Sequence, residues 1–301
     1  MPTIEVEHIT KSFGSMCAVN DVSFSVEPGE IFGLIGPNGA GKTTIIRIIL
    51  DVFKPDAGRV ALLGGPMSED KKDRIGYMPE ERGLYQDITL DRCLAYLASL
   101  KGLSTAEARK RIERYLARFD LLAHRRKKLK ELSKGMQQKA QLIATLVHQP
   151  DLIIIDEPFN ALDPVNTQMV KDLLLEERQR GVTIVMCTHH MNQVEELCDR
   201  LVLINQGKVM LYGSLDEIQH SFAGHEVLIR TSGLLPASLP GVEIIDAHNS
   251  TTHLRLLPGT NPQDVLKALV EQNVTLDQFE IAMPTLAEIF IQVVKGQGEP
   301  S

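Results

Sequence analysis

Ile31-Phe32-Gly33-Leu34-Ile35-Gly36-Pro37-Asn38-Gly39-Ala40-Gly41-Lys42-Thr43-Thr44 is the stretch on which the fold turns. Residues 31–35 are an apolar run that ends in glycine, and 44–50 have helical character, so the order is strand, glycine loop, helix. Gly36, Pro37, Asn38, Gly39, Ala40, Gly41, Lys42 and Thr43 match the pattern G-x-x-x-x-G-K-[ST]. Glycines there let successive backbone N–H groups turn toward one anion, and the helix N-terminus adds partial positive charge. Lys42 is expected to reach terminal phosphates, and the Thr43 hydroxyl is expected to ligate Mg²⁺.

Outward from this loop the pattern continues in strands and helices. Strands are expected over 3–8 and 18–26, with a turn at 27–30. Helices are expected over 104–119, 134–148, 165–180 and 191–198, and short, fully apolar strands over 152–155 and 182–187. Gln206-Gly207 separates two strand-like runs and signals a hairpin. The alternation predicts an α/β fold with a largely parallel sheet. At 221–224 the pattern changes. Strands over 226–230, 242–247, 252–256 and 277–282, with helices over 262–271 and 285–294, predict a small α+β module of ferredoxin-like split βαβ type, and 295–301 a frayed end.

Composition narrows the function. The chain has 301 residues, 43% hydrophobic and 24% charged, with a net charge of −7. That excludes a disordered chain and a basic nucleic-acid binder, so no nucleic-acid partner is expected. Four cysteines form no CxxC pair. No apolar run approaches the about 20 residues of a spanning helix. Residues 1–7 have no basic start and no apolar core, so they are not expected to act as a signal peptide.

Two further motifs carry chemistry. The strand at 152–155 ends in Asp156-Glu157, where the first acid is placed to hold Mg²⁺ and the second to polarise an attacking water. Leu132-Ser133-Lys134-Gly135-Met136 opens a helix; taken alone, Ser133 reads first as a plain N-cap and only second as an anion ligand.

With these parts in this order, the chain resembles the nucleotide-binding subunit of an ATP-binding cassette (ABC) transporter over 3–221, in an exporter-type branch with a C-terminal accessory domain. The phosphate loop, the Ser133–Met136 signature, Asp156-Glu157, Ala161-Leu162-Asp163 and Thr188-His189 follow that family's order and spacing. The resemblance implies a RecA-like phosphate-loop cassette with an antiparallel β-subdomain and a helical subdomain at about 85–148, followed by the accessory domain at 225–295. It implies ATP and Mg²⁺ as cofactors and ATP hydrolysis with Glu157 and His189 as catalytic residues. It further implies that Phe13 stacks on adenine, and that residues 36–44, Thr44 included, bind the phosphates. Ser133, Lys134, Gly135 and Met136 would reach ATP held by an opposite subunit, and Asp163 would contact that subunit. The implied partners are integral-membrane permease subunits and a second copy or a paralogue, at the cytoplasmic face of the membrane.

Two departures stand out. Where the family has a loop glutamine, Ile75-Gly76-Tyr77-Met78-Pro79-Glu80-Glu81-Arg82 offers Glu80, with Glu81 one register away; Glu80 is expected to approach Mg²⁺, offset by Arg82. The signature has Lys134 and Met136 where glycine and glutamine are common. A zinc site at Cys187, His189, His190 and Cys198 fits no structural zinc spacing. The basic run His124-Arg125-Arg126-Lys127-Lys128-Leu129-Lys130 lacks interleaved aromatics and reads as a solvated surface or a contact to a partner or lipid headgroups. The rival function is a non-transport cassette ATPase of DNA repair or translation; the span from Gly41 to Ser133 has no room for the long coiled coil of repair members, and one phosphate loop is one fewer than translation factors carry. A scaffold without turnover is disfavoured by the presence of both Glu157 and His189.

Overall fold

A strand buried on both faces needs helices above and below it, and three such strands organise this protein. The computed structural model describes residues 1–81, 83–222, 226–231, 236, 239, 241–248, 251–257 and 259–296. The chain forms two compact units, Met1–Gly213 and Ser214–Ser301. The first runs β1 (Ile4–Phe13), β2 (Met16–Val26), β3 (Ile31–Ile35), α1 (Lys42–Ile49), β4 (Ala57–Leu62), α2 (Glu69–Lys72), β5 (Ile75–Met78) and α3 (Leu90–Leu100). It continues with α4 (Thr105–Arg118), α5 (Lys134–Leu146), β6 (Leu152–Asp156), α6 (Pro164–Gln179), β7 (Thr183–Thr188), α7 (Met191–Leu197), β8 (Arg200–Asn205) and β9 (Lys208–Ser214).

Every residue of β3, β6 and β7 is buried. They lie in a six-stranded sheet of order β5-β6-β7-β3-β8-β9, with β6, β7 and β3 parallel neighbours. Ile35 pairs with Thr188, and Asp156 with Cys187. The sheet therefore delivers the phosphate loop, Asp156-Glu157 and Thr188-His189 side by side at one edge, the carboxyl ends of its strands, where open α/β sheets hold ligands. A second sheet, β2-β1-β4, is antiparallel. Its Ile4, Val6, Val22 and Phe24 share one core with Phe32 and Leu34 of β3 and with Ile45 and Ile49 of α1. The predicted hairpin joins β8 to β9; Gln206 and Gly207 are both left-handed, the pairing a tight two-residue hairpin turn requires.

Between β5 and β6 the chain folds as helices. Ser104 caps α4 by accepting the Glu107 amide at 3.3 Å, and α4 buries Ala108, Ile112, Tyr115 and Leu116 on one face. In this unit β4, α2, β5 and α3 were not anticipated: β4 is half exposed, α2 and β5 have four residues each, and α3 shows its helical period through small Cys93 and Ala98 beside Leu90 and Leu94.

The second unit runs α8 (Leu215–Phe222), β10 (Glu226–Thr231), β11 (Val242–His248), β12 (Thr251–Leu256), α9 (Pro262–Glu271), β13 (Leu276–Ile281) and α10 (Leu286–Gly296). Its sheet has order β11-β12-β10-β13 with antiparallel neighbours. The connection β12-α9-β13 thus spans β10, the expected split βαβ, over a core that includes Val227, Ile229, Leu254 and Leu269. The expected pattern change at 221–224 is described only as far as Phe222, the end of α8; Arg82, residues 223–225 and residues 297–301 of the expected frayed end lie outside the described residues.

His148, just after α5, is buried with its Nε2 3.1 Å from the Ile75 carbonyl. Burial, helped by Lys101, pushes its pKa from 6.5 down to about 4. Between those values the unfolded chain binds a proton that the folded chain refuses, so stability falls as the pH drops through that window. From pH 7 to 4.5 this group is expected to remove about 2 kcal/mol of unfolding free energy. Urea titrations of wild type and His148→Gln check this: the variant should lose most of that pH slope.

Candidate active site

The loop between β3 and α1 is shaped by close backbone approach. A Cβ on Gly36 would lie 2.0 Å from the Ile204 carbonyl oxygen, and one on Gly41 2.4 Å from that of Ala18; both glycines have positive φ. The hairpin turn steadies the loop from outside, since Gly207 donates to the Ala40 carbonyl at 2.9 Å and accepts from Asn20 at 2.8 Å. No acid stands in the first turn of α1, so the helix presents an uncompensated positive end. Lys42 is 8% exposed, and its ammonium donates to the carbonyls of Gly36 (2.7 Å) and Pro37 (3.0 Å).

Two buried acids face this loop. Asp156 is 3% exposed, and its Oδ2 lies 3.5 Å from the Thr43 hydroxyl. Burial pushes the Asp156 carboxyl above its ordinary pKa; the Cys187 thiol opposes that rise, Glu80 and Glu157 add to it, and Lys42 opposes it. A hard cation placed between Thr43 and Asp156 would relieve this, so the oxygen donors present fit Mg²⁺. Glu157 is 5% exposed and sits in the left-handed region at φ 51°. Its Oε2 accepts the Thr188 hydroxyl at 3.0 Å. Its Oε1 accepts the His189 amide at 3.1 Å and pairs with His189 Nδ1 at 2.5 Å. Glu157, His189 and His190 bring ligand-type atoms within 4.8 Å of one another, a group that includes neither Cys187 nor Cys198.

A cleft of about 550 Å³ collects residues 38–44, Glu80, Asp156 and Glu157, together with Met16, Cys17, Ala18, Gln206 and Gly207. Glu80 lines it; Glu81 does not. Phe13 is not in the lining: its ring is 42% exposed, edge-on to Phe53 at 5.5 Å, at the hairpin that carries Met16. Ser133, Lys134, Gly135 and Met136 also lie outside this cleft. Ser133 caps α5 by accepting the Met136 amide at 3.3 Å, and both Ser133 and Lys134 are exposed. A Cβ on Gly135 would come 2.9 Å from the Ala161 carbonyl oxygen, so α5 begins tight against the segment after Glu157. Asp163 caps α6, accepting the amide of Asn166 at 2.9 Å.

Sequence reasoning missed two buried glutamines of α5. Gln138 donates to the carbonyls of Glu157 (3.2 Å) and Pro158 (3.1 Å), and Gln141 to that of Pro79 at 2.8 Å. Spaced three apart among Ala140, Leu142 and Ile143, they look like helix-surface residues until their partners are known. The Gln206-Gly207 turn was likewise read only as a hairpin.

An ABC transporter family model matches residues 19–160, and a model of the C-terminal domain of DrrA1-3-like ATP-binding proteins matches residues 213–294. An uncharacterized ABC transporter ATP-binding protein of Bacillus subtilis is 36% identical over 292 residues, 97% of this chain and 98% of that one. The chain belongs to the ABC transporter ATP-binding proteins. The Nod factor export ATP-binding protein I of Paraburkholderia xenovorans is 36% identical over 228 residues, 75% of each chain. A solved ATP-binding subunit of an ABC transporter superposes with a TM-score of 0.69 at 33% identity, covering 73% of this chain and 93% of that one.

ABC proteins of this kind hydrolyse ATP and work with membrane permease subunits. Among the described residues of this cassette, no helix is long and apolar enough to cross a membrane. Lys42→Ala is expected to abolish its ATPase activity in a phosphate-release assay, because the loop then has no cation beside the phosphates. Thr188 offers a finer test. Its hydroxyl accepts the His190 amide at 3.1 Å, so its proton points to Glu157. Thr188→Val keeps the shape but takes the hydroxyl from the buried Glu157 Oε2 and from the His190 amide; kcat should fall roughly 10- to 100-fold with little change in KM. Thr188→Ser should restore it.

Proposed function

We propose that this subunit powers export through separate membrane-spanning partners, working at the cytoplasmic face of the membrane as a pair of cassettes. The pair is two copies, or this chain and a paralogue. Residues 1–221 serve as the ATP-binding domain, with a helical part at 85–148, and 225–295 as an accessory domain. The observation that carries the paired arrangement is the exposed start of α5, outside the chain's own cleft, while Lys42, Thr43, Asp156 and Glu157 line that cleft. A second cassette can bring its Ser133–Met136 to the open side of the bound phosphates. Export is supported by the relative named for Nod factor export.

Within one cleft, the amides of 38–44 and the Lys42 ammonium hold the phosphates in place. Mg²⁺, when bound, would supply positive charge beside the phosphates, and Thr43, Asp156 and Glu80 are the residues that would hold it. Glu157 takes a proton from the attacking water, through the carboxylate that Thr188 orients. His189, now on Glu157 Oε1, turns toward the terminal phosphate and frees that oxygen for the water. Adenine would meet Met16 and Cys17 of the lining, with the exposed ring of Phe13 outside the lining on the hairpin that carries Met16.

Glu157→Gln keeps the shape and removes the base. With ATP and Mg²⁺ this variant should elute from a sizing column at twice the mass seen without nucleotide. Elution as a monomer under both conditions would overturn the paired arrangement. Glu80→Gln should retain hydrolysis while shifting the Mg²⁺ titration of the rate to higher concentration; an unshifted curve would leave Glu80 as a surface charge.

A further inference from the structure

The basic run at 124–130 is the strongly charged feature that nucleotide chemistry leaves unused, and its surroundings are more lopsided than the run itself. Residues 101–130 carry 11 Lys and Arg against 3 Asp and Glu, a net of +8. The rest of the chain carries 21 against 36, a net of −15. One tenth of the sequence is thus strongly cationic in an acidic protein.

The structure fixes this charge in one place. The run is zipped to residues 86–91 by backbone bonds: Asp91 donates to Arg125 at 3.0 Å, Leu90 to Lys127 at 3.0 Å, Leu129 to Ile88 at 3.1 Å and Lys130 to Gln86 at 3.1 Å. Arg125 pairs with Asp91 at 3.1 Å and reaches Glu113 of α4 at 3.8 Å, which brings the run against that helix. Arg109 and Lys110 lie one turn before Glu113 and Arg114 directly after it; Lys110 stands opposite the buried Ile112, Arg109 borders that buried face, and the Arg114 guanidinium lies over the Tyr115 ring at 5.3 Å. Arg111, Arg118, Arg125 and Lys130 are held by acids of the same unit. Arg109, Lys110, Arg114, Arg126, Lys127 and Lys128 are exposed and have no ion-pair partner among the described residues.

We propose that this lobe docks on the anionic lipid headgroups of the membrane that holds the permease partners; this rests on the reading that the subunit works at a membrane. Six cations without an ion pair repel one another, and the Tyr115 ring at Arg114 and the charge of Asp87 near Lys128 offset them only in part. They span a helix face and a neighbouring loop, with Arg109 and Arg114 about 7.5 Å apart along the helix axis. A field of headgroups matches that spread better than one compact anion. The surplus of acids elsewhere orients the contact, since an anionic surface attracts this lobe and repels the rest of the chain.

The test uses the full chain without nucleotide, sedimented with vesicles of phosphatidylcholine alone or with about 30% phosphatidylglycerol. Binding is expected only to the anionic vesicles, and it should weaken as salt rises from about 0.05 to 0.3 M. The triple variant Arg126→Gln/Lys127→Gln/Lys128→Gln should lose on the order of 100-fold in vesicle affinity, and Arg109→Gln/Lys110→Gln/Arg114→Gln should also lose affinity. ATPase rates measured without vesicles should match wild type in both. Those rates report the fold, and they keep a failure of the lipid contact separate from a failure of the ATPase. Equal binding to neutral vesicles, no binding to anionic ones at low salt, or unchanged affinity in both triple variants would overturn the proposal. So would variants that bind vesicles normally but no longer co-purify with the permease, which would make the lobe a protein contact.

Discussion

Asp156 and Glu157 are neighbouring carboxylates almost wholly withdrawn from water at the end of β6. Burying two like charges side by side is tolerable only if donors and cations surround them, and much of the first unit answers that demand. β7 supplies Thr188 and His189, α5 supplies Gln138 behind the backbone, and the turn into α1 supplies Lys42 and Thr43. The arrangement of parallel strands is what makes these donors converge. Had β3 and β6 not both flanked β7, the cation of the loop and the acids of the strand end would stand on different edges of the sheet.

α5 joins the two halves of this chemistry. Its first turn holds the exposed signature, and its buried face grips the backbone at Pro79 through Gln141 and at Glu157 through Gln138. These hydrogen bonds tie the helix to both acidic segments, beyond what packing alone does. The left-handed backbone at Glu157 and Ala161 is the place where such a segment can change course, because non-glycine residues hold that conformation only under outside constraint.

The sequence made the chemistry legible wherever pattern and burial coincide. β3, β6 and β7 read as strands because burial on both faces demands unbroken apolar runs, and Lys42, Asp156 and Glu157 stand at their ends. β4 and β5 did not, since an exposed edge-like strand and a four-residue strand carry little pattern of their own. α3 buries Cys93 and Ala98, side chains too small to mark a period. Gln138 and Gln141 were invisible for a different reason: a glutamine turned inward looks the same in sequence as one turned to water, and only its carbonyl partners tell them apart. The second unit was legible because strand alternation and the Asn261-Pro262 helix start survive without any motif.

The strand that leads into the phosphate loop spans residues 31–35, but its neighbours in the sheet are β7 and β8, at 183–188 and 200–205. During synthesis, β3 therefore waits for roughly two thirds of the chain before either of its flanks exists. Contacts so distant in sequence form late and leave apolar strands uncovered meanwhile. The nucleotide cradle is thus among the last features of the first unit to be completed. Once it forms, ATP binds only the finished sheet and acts as a ligand of the folded state, adding stability at the moment when the emerging chain has most need of it.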